Sequence, residues 1–137
     1  MIQRIQTVWL LLAAICAFLT IRFSIYSGTD INNVPYEKLT AATGGFLILA
    51  ITILIGVIAG VAIFMFKNRG TQLWLCAAGL LAEFLLIFLY YKKISTFAQG
   101  TLSLTAILHI GIVLLFILAF RGIYNDEKIV KESDRLR

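Results

Sequence analysis

Charge is what this chain has little of. Of its 137 residues only 14% are Asp, Glu, Lys or Arg, while 61% are hydrophobic and the mean hydropathy is +0.95. Soluble domains carry about 25% charged residues, so there is too little polar surface here to clothe a water-soluble globule. Histidine occurs once, proline once and cysteine twice. A single histidine excludes bis-histidine haem ligation, and no cysteine set suits an iron–sulfur cluster. Cys16 and Cys76 form neither a CxxC nor a metal-ligand spacing. They sit in separate apolar runs at depths about 10 Å apart, beyond the roughly 7 Å reach of a disulfide. Both read as small apolar packing residues. Gly-rich phosphate loops, HExxH and a credible nucleophile–base pair are also missing. No enzymatic activity, cofactor or metal site is therefore expected. The net charge of +5 does not point to nucleic acid. The basic residues stand at the ends of apolar runs or alternate with acids, as an orientation signal for a membrane would have them.

What the chain does have is four apolar runs, at about 5–26, 44–66, 72–91 and 101–120, each long enough to cross a bilayer as a helix. They predict a single domain of all-α class, an integral membrane four-helix bundle, with a charged tail over 121–137 that forms a short helix of its own. The first run resembles a signal peptide, but Arg22-Phe23 follows it where a small-x-small cleavage site is needed, so it reads as a retained span. Residues 27–43 hold Pro35, Gly28, Asp30 and Asn32-Asn33, all turn-formers, and read as a connector in preference to a ligand lid. Thr40 is a candidate start for the helix of the second span. Orientation follows from the basic residues. Arg4, Lys67, Arg69, Arg121, Lys128, Lys131, Arg135 and Arg137 fall on one side; Arg22, Lys38, Lys92 and Lys93 fall on the other. The excess places both termini in the cytoplasm.

Polar residues inside such runs are costly unless answered by a partner. Glu83 lies in the third run and His109 in the fourth, each about eight residues, or roughly 12 Å, below the outer surface. An antiparallel hairpin makes these runs neighbours, so the two can meet. Three readings compete: a Glu83 hydrogen-bonded by His109 or a hydroxyl that fixes helix register, a pair that carries protons or a cation, and a protonated Glu83 that is merely tolerated. The first leads. Arg22, close to the outer end of its run, reads as a snorkelling residue. Small residues mark packing faces: Gly56 and Gly60 form a GxxxG pattern, and Gly79 shares a face with Cys76 and Glu83. Packing within the bundle is preferred to dimerisation for the GxxxG.

The two ends carry a pattern. Met1-Ile2-Gln3-Arg4-Ile5-Gln6, Arg121-Gly122-Ile123, Asp126-Glu127-Lys128 and Asp134-Arg135-Leu136-Arg137, with four spans between them, resemble an uncharacterised four-span inner-membrane protein family of unknown function, mainly from Bacteroidetes. The resemblance implies a multi-pass protein of a bacterial inner (cytoplasmic) membrane and brings no activity with it. It draws attention to the cytoplasmic ends, where Arg4, Asp126, Glu127, Lys128, Asp134 and Arg135 are candidates for docking. The leading expectation is a non-enzymatic accessory or scaffold subunit of an inner-membrane complex. Its partners would be membrane lipid and a membrane protein or a second copy, with no nucleic acid. The alternative is a small proton- or cation-coupled transporter or channel using Glu83 and His109.

Overall fold

A computed structural model describes residues 3–32 and 37–137 of the chain. Four long helices dominate it: α1 (Gln3–Arg22), α2 (Phe46–Phe64), α3 (Arg69–Ile94) and α4 (Ile107–Arg135). Each is long and apolar enough to cross a membrane. Three strands, β1 (Tyr26–Asp30), β2 (Glu37–Leu39) and β3 (Phe97–Leu102), lie in the connections α1–α2 and α3–α4. A short 3₁₀ turn over Leu104–Ala106 leads into α4.

The helix limits follow from local chemistry. Gly45, with φ at 118°, adopts a conformation that side chains disfavour, and α2 starts on the next residue. Thr40 does not begin a helix. Its hydroxyl accepts from the Thr43 amide at 3.1 Å while the Thr43 hydroxyl donates to the Lys38 carbonyl at 2.7 Å, closing a compact turn before Gly44. At the far end of α3 the Ser95 and Thr96 hydroxyls donate to the Lys92 and Lys93 carbonyls at 2.6 and 2.7 Å. These are carbonyls that a helix end leaves without partners.

Burial repeats every three or four residues on all four helices. On α3 the buried positions are 72, 76, 79, 83, 86 and 90; on α4 they are 109, 112, 116, 119, 123 and 126. That alternation keeps one stripe of each helix facing its neighbours, as in left-handed helix packing. Helix α1 packs on α2 and α4, α2 on α3, and α3 on α4, so the four surround one core. Phe116, Leu10, Ile55, Leu86 and Ile112 fill it. The outward faces are equally apolar: Leu81, Phe84 and Phe88 on α3 are all more than half exposed. Cys16 and Cys76 are free thiols.

Two expectations change. The all-α class gives way to a mainly helical fold with an antiparallel sheet in the order β2-β1-β3. The register pairs Tyr26 with Leu39 and Leu102, and Gly28 with Gly100. The physical reason is that both connections leave backbone donors and acceptors needing partners, and at this end of the helices they meet each other. Gly28 opposite Gly100 lets two backbones approach where side chains would collide. The second change is the tail. It is no separate helix, because α4 runs unbroken through 121–135 and begins at Ile107, six residues later than the apolar run at 101. Gly122 does not interrupt it, and its missing side chain leaves room for that of Gln6. Pro35 lies outside the described residues.

Candidate buried polar site

Glu83 and His109 are brought together. They stand on the facing stripes of α3 and α4, and His109 Nδ1 lies 2.6 Å from Glu83 Oε1. Glu83 is wholly buried and His109 is 5% exposed. The bond ties α3 to α4 through two side chains that would otherwise each face an apolar core. It also offsets part of the penalty of placing the acid in an apolar core. Two buried residues that were not site candidates join them; Tyr90, at the end of its apolar run, reads from sequence as an interfacial aromatic. The Tyr90 ring, two turns along α3 from Glu83, rests on the His109 imidazole at 5.1 Å between centroids. Its phenol also comes near Thr52 of α2. Thr52 itself donates to the Ile48 carbonyl of its own helix at 2.8 Å. Three buried atoms in this group have no hydrogen-bond partner: Glu83 Oε2, His109 Nε2 and Tyr90 Oη.

At the opposite end of the core a second polar group links the helices. Gln6 Nε2 of α1 donates to Asp126 Oδ2 of α4. The Arg69 guanidinium of α3 donates to the Asp126 carbonyl at 2.7 Å. Gln72 Nε2 of α3 donates to the Ala62 carbonyl of α2 at 2.9 Å. Gln6, Gln72 and Asp126 are all buried. The signal for them was present in the spacing: Gln72 begins the stripe that carries Glu83, and Asp126 ends the one that carries His109.

The other candidate residues separate. Asp126 is buried and committed to Gln6, which removes it from any docking surface. Glu127, half-buried, pairs with exposed Lys131 at 2.8 Å, and the exposed Lys128 and Glu132 lie 4.0 Å apart; both are i,i+4 contacts at the surface and of little energetic weight. Lys128, Asp134 and Arg135 are exposed. The side chain of Arg4 lies outside the described residues. Gly79 seats the Phe116 ring, and Gly56 seats the Phe18 ring of α1. Gly60 has nothing against it within 4 Å, so the two glycines of the GxxxG do not share one contact. Among the described residues no group of three His, Cys, Asp or Glu is placed to hold a metal ion.

A family model described as a domain of unknown function (DUF4293) matches residues 2–136, and the chain belongs to that family. No curated protein and no solved structure matches it.

Proposed function

We propose that this chain is a non-enzymatic accessory or scaffold subunit of a bacterial inner-membrane complex, spanning the bilayer four times with both termini in the cytoplasm. The observation that carries the docking reading is the length of α4. Its 29 residues extend about 44 Å, against a hydrocarbon core of about 30 Å. The charged turns beyond Asp126 are therefore held rigidly outside the bilayer on a helix anchored by Gln6 and Arg69. Lys128, Lys131, Glu132, Asp134 and Arg135 are presented there with mixed charge, which suits a protein partner's polar rim better than a lipid surface. The apolar outer faces of the helices support lipid as the surrounding solvent. Solute carriers build their sites on interrupted helices, whereas α1 to α4 run unbroken; transport is therefore the weaker reading. The test is purification of the tagged full chain in mild detergent. One partner, or a second copy, should be recovered at fixed stoichiometry, and a triple Lys128→Glu, Lys131→Glu, Arg135→Glu variant should lose it. A monodisperse monomer, or recovery indifferent to those substitutions, would end the proposal.

A further inference from the structure

We propose that Glu83 and His109 form a proton-binding site inside the membrane that exchanges only with the side on which the three-stranded sheet lies. This rests on the membrane-spanning reading above and goes beyond it, since docking through the tail does not need such a site.

The pair is a short chain of proton carriers with two free ends. His109 Nδ1 and Glu83 Oε1 share one hydrogen bond, while His109 Nε2 and Glu83 Oε2 are buried without partners. A structural pair would be expected to satisfy those atoms, because an unmet buried polar atom costs about 1–3 kcal/mol. A proton delivered by hydronium to Nε2 makes an imidazolium. Release of the Nδ1 proton to Oε1 then leaves a neutral imidazole and a carboxylic acid. One N–H bond forms, one breaks and one O–H bond forms, so the pair ends with one added proton and water is left behind.

Access is unequal on the two sides. Tyr90 lies two turns from Glu83 toward the sheet end of α3, and His109 stands in the first turn of α4, directly after the sheet and its short 3₁₀ turn. From His109 it is one helical turn to Thr105, which is half-buried and donates to the Ser24 carbonyl. Beyond it the hydroxyls of Ser27 in β1 and Ser103, which follows β3, are 3.4 Å apart. Hydroxyl groups thus occupy the stretch between the sheet and the first turn of α4, which carries the imidazole. On the other side the Phe116 ring closes against Gly79, with Ile58 of α2 beside it, and Ile112 and Phe116 are fully buried. The next polar layer there, at Gln72, is about 16 Å from Glu83 along α3. The titratable groups facing the pair are few. Helix α3 contributes Tyr90 and, two turns away, Cys76; the buried stripes of α1 and α2 contribute none; α4 has Asp126 only at the far end.

His109 is the sole histidine, so ¹⁵N-histidine labelling reports on it alone. The full chain is placed in proteoliposomes of one selected orientation, and the pH of each compartment is stepped separately across about 8 to 5, where imidazoles change charge. The nitrogen spectrum should respond to the sheet-side step and stay unmoved by the tail-side step. Thr105→Val should slow the response several-fold, whereas Thr105→Ser, which keeps the hydroxyl, should not. An inserted chain whose spectrum ignores both steps, follows both equally, or is indifferent to Thr105→Val overturns the site. A chain that fails to enter the vesicles overturns the membrane reading instead, and the two failures are told apart by flotation.

Discussion

Gly79 shows how much of the core depends on one missing methyl group. A Cβ there would lie 2.7 Å from Cε1 and Cζ of Phe116. Phe116 is the largest fully buried side chain, so its ring cannot simply swing outward. Overpacking a well-filled core costs about 1–3 kcal/mol. Gly79→Leu should therefore lower stability by that order in a denaturant titration of the protein in micelles. Gly60→Leu, with open space around it, should change almost nothing, and adding Phe116→Ala to Gly79→Leu should recover part of the loss. Equal effects at 60 and 79 would mean that the α3–α4 contact is not what makes the glycine matter. The comparison also separates two positions that look alike as sequence, since spacing identifies small residues but not which of them meets a neighbour. Asp126 makes the same point for polar residues. In the sequence it belongs to a charged tail, yet its place on the 109-to-126 stripe turns it inward toward Gln6.

The four helices were legible as elements because each is a long apolar run with charged or glycine-containing ends, and the antiparallel hairpin made a meeting of Glu83 with His109 available by depth without fixing which way either residue turns. The strands were not legible. Ser27-Gly28-Thr29 and Gln99-Gly100-Thr101 have neither alternation nor a hairpin turn between them, and they pair across about 70 residues of intervening chain. The start of α4 was misplaced for the same reason, since residues 101 and 102, apart from their strand pairing, continue an apolar run. The sheet depends on backbone proximity at one point. A Cβ on Gly28 would fall 2.2 Å from the Gln99 carbonyl oxygen and 2.7 Å from the Gly100 Cα, both main-chain atoms that cannot rotate away. Gly28→Val should part β1 from β3. Amide exchange over residues 97–102 should accelerate about tenfold or more, equivalent to ~1.4 kcal/mol of local stability, while amides of α3 keep their protection. Unchanged exchange in the strand would show that the pairing is not limited by that approach.

At the scale of the molecule, the two polar groups sit at opposite ends of one core, and each belongs to a different set of loops. Gln6, Arg69 and Asp126 lie at the end with both termini, while His109 lies near the sheet built from the two longer connections. In the proposed four-span arrangement the termini lie on one side and the sheet on the other, and the basic excess is the proposed orienting signal. With the termini inside, eight of the twelve Lys and Arg residues are cytoplasmic. The expected outcome is that, in a chain with Cys16 and Cys76 replaced by Ala, a cysteine at Gln99 reacts with a membrane-impermeant maleimide added to intact spheroplasts. A cysteine at Ser133 should react only in inverted vesicles. Labelling of both from one side would break the four-span arrangement itself. A clean reversal would keep the arrangement but show that the basic excess does not orient it, and the sheet side of the Glu83–His109 pair would then face the cytoplasm instead of the outside. The labelling pattern thus tells which compartment the sheet faces, and with it which compartment's protons the Glu83–His109 pair senses under the sheet-side access proposed above.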